Sequence, residues 1–362
     1  MIATLAFALL AATPCEPSWP LWNRYVGTFI SGDGRVIDRT AGDRTTSEGQ
    51  AYALFFSLVA NDRALFQRLL AWTEQNLAQG DLARNLPAWH WGKRKDGSWG
   101  VVDPNSASDA DLWLAYDLLE AGRLWSQPRY AALGQRLLAN AAAREVANVP
   151  QLGTVLVPGA RGFNLEGGFR VNPSYSPPQI LRRFARLGAP WSAVLQSSME
   201  MLRLFVPAGA VPDWAFAKAG QLLHDPVTGR VGSYDAIRVY LWIGMMPERD
   251  PGLDRLAAGL LRKLRETGAL PERIDARTLE ARGSAPPGFY AALLPLAPDD
   301  VRPALEEHLA RAFKRGLYGD PPAYYDQNLV LFGRGFTESR YRFGADGSLA
   351  PAWETRCIGR AR

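Results

Sequence analysis

Apolar residues recur three and four positions apart along most of this chain, a repeat that predicts helices rather than strands. Two kinds of helix alternate. The first is apolar nearly all round and is predicted over Glu48 to Val59, Ala107 to Leu119, Pro177 to Phe184, Tyr234 to Met245, Gly288 to Leu294 and Tyr324 to Phe332. A helix with no polar face must be buried. The second carries an apolar stripe with arginines outside it. It is predicted over Ala64 to Leu77, Arg129 to Val146, Trp191 to Phe205, Leu253 to Thr267 and Val301 to Arg315, with Trp19 to Phe29 as a sixth. Strand-like alternation is scarce. Pro128, Pro177, Pro190, Pro251 and Pro303 fall at or near helix starts, where a missing N–H costs nothing. Ser47, Ser106 and Ser108 stand where N-caps are expected.

Six buried helices alternating with six half-exposed ones describe an all-α fold, the (α/α)6 barrel, built as a single domain. Its inner helices run parallel and all start at one end, so residues at those starts converge on one cleft. Glu48, Asp109 and Asp235 occupy such starts, as do Tyr175 and the group Tyr324-Tyr325-Asp326.

Composition narrows the classes. Of 362 residues, 47% are hydrophobic and 21% charged, enough for a large core and too apolar for a disordered chain. The net charge of +5 is mild, and most of the basic residues are arginines scattered along helices beside acids, as in Asp254-Arg255 and Glu272-Arg273. They read as solvated faces, and no nucleic-acid groove is expected. Twelve tryptophans are many, and most belong to the core. Trp89, Trp91 and Trp99 instead share a loop with Lys93, Arg94, Lys95 and Asp96, a poor site for a core and a good one for stacking on the C–H faces of sugars.

The chain opens on an apolar, uncharged run from Met1 to Pro14 that is too short to span a bilayer as a helix and resembles the hydrophobic part of a secretion signal. We therefore expect a signal-like segment over 1–14, a catalytic domain over 15–362, a periplasmic or secreted location, and no membrane span in the mature chain. The basic front of a signal is missing. Cys15 and Cys357 are either free thiols or a disulfide joining the termini, which an oxidising compartment would permit. A thiol count without reductant decides between them.

Acids at separate helix starts suit cleavage of a glycosidic bond. The reaction needs a protonated carboxyl beside the leaving oxygen and a carboxylate across the sugar. Glu48, followed by apolar helix, suits the proton donor. Asp235, with Arg238 one turn on, suits the base. Asp109 is best placed to grip the sugar being cut. Taken singly, each acid is also explained by the helix dipole, which favours acids in a first turn. Asp111 and Asp117 read as structural or as supporting the site. Asp213, in Val211-Pro212-Asp213-Trp214, is open between a turn and a sugar contact, and Arg238 between an ion-pair partner and a substrate ligand. No metal or other cofactor is expected, because His90, His224 and His308 are scattered and no H-E-x-x-H or C-x-x-C pattern occurs. His90 reads as a cleft-loop residue. G-x-S-x-G, Walker and dinucleotide motifs are absent.

Five segments carry a resemblance. They are Thr45-Thr46-Ser47-Glu48-Gly49-Gln50-Ala51-Tyr52, Ala107-Ser108-Asp109-Ala110-Asp111, Asn172-Pro173-Ser174-Tyr175, Ser233-Tyr234-Asp235-Ala236-Ile237-Arg238 and Tyr324-Tyr325-Asp326-Gln327-Asn328-Leu329. In this order and spacing, from about Trp19 to Trp353, the chain resembles glycoside hydrolase family eight. Within it the chain resembles the periplasmic endoglucanases that accompany bacterial cellulose synthase. The resemblance implies an (α/α)6 barrel and an inverting endo-β-1,4-glucanase. It implies Glu48 as proton donor, Asp235 as the base that activates water, Asp109 as the residue that binds and distorts the sugar at the cleavage subsite, and Tyr175 as an aid in orienting water or ring. Trp89, Trp91, Trp99, Tyr175, Trp214, Arg238 and Tyr324 are the expected substrate contacts. The expected partner is a β-1,4-glucan, with the cellulose synthase complex as a possible second. The family also contains xylanases and chitosanases, so the sugar stays open. A non-catalytic glycan-binding component is the reading from another class, and the joint presence of Glu48 and Asp235 argues against it.

Overall fold

The structure, a computed structural model, describes residues 18–354. The apolar run over 1–14, Cys15 and Cys357 lie outside the described residues. The helices are α1 (Pro20–Phe29), α2 (Ser47–Val59), α3 (Arg63–Leu77), α4 (Ser108–Leu124), α5 (Pro128–Arg144), α6 (Pro178–Ala185), α7 (Trp191–Phe205), α8 (Ala236–Gly244), α9 (Pro251–Asp254), α10 (Ala258–Thr267), α11 (Pro287–Leu293), α12 (Arg302–Ala312) and α13 (Tyr324–Thr337).

Among the described residues α2, α4, α6, α8, α11 and α13 pack each on the next, and α13 returns to α2, closing a ring. Outside it, α1 lies on α13, α3 on α2, α5 on α4, α7 on α6, α9 on α8 and α12 on α11. This is the (α/α)6 fold. Every residue of α8 is buried, whereas α12 buries only Leu305 and Leu309. The two helix types read from the sequence are therefore the two layers. Small residues let neighbours approach closely: a Cβ on Gly333 of α13 would sit 2.0 Å from the Ala291 carbonyl oxygen of α11.

Aromatic rings from four inner helices meet on the axis. Tyr52 and Phe332 have ring centroids 5.0 Å apart, Trp113 and Trp242 5.4 Å, and Trp242 and Phe332 5.3 Å. Truncating a buried ring of this kind to alanine typically costs about 3–5 kcal/mol.

The structure departs from expectation at helix ends and in the loops. The run expected as one helix from Leu253 to Thr267 is broken: α9 passes through a 3-10 turn at Arg255–Ala257 into α10, and Gly259 N–H is drawn out to Gly209 O at 2.7 Å. The helix expected to Arg315 stops at Ala312, because Phe313–Lys314 pairs as a strand with Leu317–Tyr318. The caps also move by a residue. Thr46, not Ser47, caps α2 by accepting from Gly49 N–H, and Ser106 is diverted to Glu145 at 2.6 Å, leaving α4 without a side-chain cap. Short antiparallel strands are more frequent than the pattern suggests. One sheet orders Asn164–Leu165, Gly168–Val171, Ala215–Lys218 and Gln221–His224 side by side, each strand too short for alternation to register. The tryptophan loop is a hairpin of His90–Lys93 and Trp99–Asp103, joined on its other edge to Thr45–Thr46. That pairing ties the loop to the residues just before Glu48.

Candidate active site

A cavity of about 480 Å³ opens where the inner helices begin, and its lining includes Glu48, Trp89, Asp109, Tyr175, Asp235, Arg238 and Tyr324. Five of the six inner helices thus send their starts to one place. The sixth, α11, is tied to it indirectly, since Gly288 N–H donates to the carboxylate of Asp326, one residue after Tyr325 of the lining.

Arg238 organises the cluster. It projects from the first turn of α8 and is only 2% exposed. Its Nη1 donates to the carboxylate of Glu48, to Asp109 Oδ2 at 3.1 Å and to the Tyr52 hydroxyl at 3.1 Å. Its Nη2 donates to Asp235 Oδ1 at 2.6 Å and to Ser174 Oγ at 3.1 Å. Glu48 and Asp235 therefore sit at opposite nitrogens of one guanidinium, with Asp109 on the Glu48 side. Arg238 acts as a clamp on the acids. A planar fork can hold several carboxylates at fixed angles, which a lysine cannot.

Each acid has its own surroundings. Burial pushes the Glu48 carboxyl up to about 7, outweighing the attraction of Arg238, and the charges of Asp109 and Asp235 push the same way. Asp109 is almost wholly buried and its carboxyl is also raised, first by burial, while Arg238 and the Ala110 N–H at 2.8 Å oppose the shift. Asp235 keeps 27% of its side chain exposed, the most open of the three, against 18% for Glu48. The arrangement offers a carboxyl held near neutrality, a more solvent-accessible one on the other side of the cation, and a buried acid beside the first.

The remaining expected contacts divide. Tyr175, in the 3-10 turn Pro173–Tyr175, lies under the Arg238 guanidinium at 5.5 Å. Tyr324 bonds Thr46 through its hydroxyl at 3.1 Å and lines the cavity, as does Trp89. Trp91, Trp99 and Trp214 lie outside the cavity lining. Trp91 stacks on Trp99 at 5.4 Å with the Arg35 guanidinium 4.3 Å above it, and Trp99 is 45% exposed. Trp214 lies 6.0 Å from Tyr175 and stacks on Phe163 at 5.8 Å, extending the aromatic surface away from the acids. His90 sits in the tryptophan hairpin, and burial lowers its pKa.

Some lining residues had no signal in the pattern. Asp38, Thr40, Ala41 and Arg44 come from the irregular segment between α1 and α2. Tyr52 could have been found: it follows Glu48 by four residues, so both face inward on α2. Tyr325 also lines the cavity and donates its hydroxyl to Tyr234 O at 2.5 Å.

A second acidic pair flanks the cluster. Glu145, at the end of α5, accepts from Ser106 at 2.6 Å and lies close enough to Asp111 of α4 for its charge to push the Asp111 carboxyl up. Burial raises both, Glu145 to about 7. Asp117, deeper in α4, is also raised by burial. Among the described residues no group of three or more His, Cys, Asp or Glu is arranged to hold a metal ion.

The profile of Glycosyl hydrolases family 8 matches residues 1–339. The chain belongs to this family. An endoglucanase of Xanthomonas axonopodis pv. citri is 46% identical over 360 residues, covering 97% of this chain and 93% of that protein. An endoglucanase of Escherichia coli O157:H7 is 42% identical over 368 residues, covering 99% and 96%. The crystal structure of an endo-1,4-D-glucanase from Vibrio fischeri ES114 superposes with a TM-score of 0.85 at 41% identity, covering 93% of this chain and 99% of that one. The protein is thus a family 8 glycoside hydrolase with the family's (α/α)6 architecture.

Proposed function

We propose that this family 8 enzyme is an inverting endo-β-1,4-glucanase that cuts cellulose chains. The observation that carries the reading is the shared clamp: one buried guanidinium holds Glu48, Asp109 and Asp235 around a single open cavity. The endoglucanase names of relatives at 42–46% identity support the substrate class.

In this reading Glu48 gives its proton to the glycosidic oxygen as the bond to C1 breaks. Asp235 takes a proton from a water that attacks C1 from the opposite face, so a β-linkage yields an α-product. Two carboxyls roughly 6.5–9.5 Å apart leave room for that water. Asp109 binds and distorts the sugar between them. Tyr175 orients water or ring, and Trp89 and Tyr324 bear on neighbouring sugars. Trp214, continuing the aromatic surface from Tyr175, serves glucan units further along the chain, as do Trp91 and Trp99 at the other loop. Arg238 holds the acids more than it holds the sugar.

The apolar start and the five family segments support action in the periplasm or outside the cell, alongside cellulose synthesis and export, with the synthase complex as a partner. No helix among the described residues is long and apolar enough to cross a membrane.

Release of reducing ends from carboxymethylcellulose tests the activity, with xylan and chitosan in parallel to fix the sugar. A folded enzyme inert on every β-glucan refutes the reading. NMR of the first-formed product tests the stereochemistry, and a β-anomer excludes inversion.

A further inference from the structure

Asp235 stands at the N-cap position of α8, where an aspartate ordinarily turns its carboxylate back onto the first free amides of the helix. It makes no such bond. The leading amides are served in other ways. Ile237 N–H donates to Ser233 O at 3.0 Å and Arg238 N–H to Asp235 O at 3.1 Å. The amides of Ser233, Asp235 and Ala236 all donate to one atom, Oδ1 of Asp213, at 2.7, 3.1 and 2.7 Å.

Asp213 precedes Asp235 by 22 positions and lies outside the cavity lining. It is itself anchored, because its N–H donates to Val231 O at 2.8 Å, while the Ser233 hydroxyl donates to Glu272 O at 2.8 Å. Burial and the neighbouring Asp235 push its carboxyl up to about 6, while its bonds to the three amides pull the other way. An anion accepting backbone N–H groups makes stronger bonds than a neutral acceptor.

We propose that Asp213 is a positioning residue that caps α8 in place of Asp235, leaving the Asp235 carboxylate turned toward Arg238 and the cavity. Without Asp213, the Asp235 side chain is the nearest acceptor for its own helix start and turns away from the water it must deprotonate. The inference deepens the reading above and rests on Asp235 being the base.

The test compares D213A, D213N and D235A on a soluble cello-oligosaccharide, with azide added as a nucleophile that needs no base. In azide rescue the anion bonds to C1 as the glycosidic oxygen leaves and takes the Glu48 proton. D213A is expected to lose kcat by about tenfold to a hundredfold with KM within about twofold, since a small misplacement of a catalytic group costs that much. Azide restores part of the rate of D213A, as it does for D235A. D213N keeps an oxygen acceptor and stays within about threefold of the parent. Should D213A not fold, D213E serves: it keeps the charge, shifts the acceptor by one methylene, and shows the same loss and rescue. Wild-type kcat in D213A or D213E beside an inactive D235A overturns the inference alone, and so does a loss in KM only. A D235A variant at full rate overturns the base assignment itself.

Discussion

Arg238 and Glu48 are 190 positions apart in sequence and directly bonded in the fold. The pairing crosses the barrel from α8 to α2 and brings the candidate acid within reach of the guanidinium that also holds Asp109 and Asp235. Its consequence is a balance. Arg238 favours the ionised form of Glu48, burial favours the neutral one, and burial wins.

Replacing Glu48 by Gln keeps the shape of the site and removes the transferable proton. The expected result is a fall in kcat of about 10²–10⁴-fold, with oligosaccharide binding retained, because general-acid assistance is realised only in the transition state. Steady-state rates and calorimetric binding on the same preparation check this. A variant with most of its rate overturns the assignment.

The pH profile follows from the same group. Glu48 must carry its proton to act, and its carboxyl is raised to about 7. The rate kcat/KM is therefore expected to hold below neutrality and decline as pH rises through about 7, reporting the free enzyme. Initial rates from pH 5 to about 9 at constant ionic strength measure it.

Replacing Arg238 by Leu leaves three acids around a buried site with no counter-charge. Removing one partner of a buried pair costs about 3–5 kcal/mol. We expect a lowered denaturant midpoint and a rate too low to detect with wild-type enzyme levels. Arg238→Lys should fold better than the leucine variant and still lose most activity, since an ammonium cannot hold Glu48 and Asp235 at the two ends of one plane. Equal activity in the Lys and Arg forms excludes the clamp.

The pair Asp111–Glu145 makes stability depend on pH. Glu145 is raised to about 7 in the fold from an ordinary value of 4.5, and Glu48 moves the same way. Between those values the native state binds more protons than the unfolded chain, so stability falls as pH rises through that window. Glu145→Gln keeps an acceptor for Ser106 and removes one of the titrating groups. Urea melts between pH 5 and 8 should show a shallower slope for the variant than for the parent, and an unchanged slope excludes the pair as its source.

Local pattern was enough for the architecture. A helix apolar on every side has only one stable environment, so the alternation of such helices with striped ones already implied two concentric layers, and the positions of Glu48, Asp109 and Asp235 at helix starts already implied one shared end. Strands of two to five residues are too short to carry a readable period, and the break between α9 and α10 depends on an outside partner, Gly209. What tertiary structure alone decided was the use of each polar group. Arg238 spends both terminal nitrogens on the acids, Trp91 and Trp99 rest on each other beside Arg35, and Asp213 serves amides 20 to 23 residues ahead of it. Periodicity tells which side of a helix leaves water. Which donor meets which acceptor, and how strongly burial opposes a charge there, depends on segments far apart in sequence that only the closed ring of helices brings together.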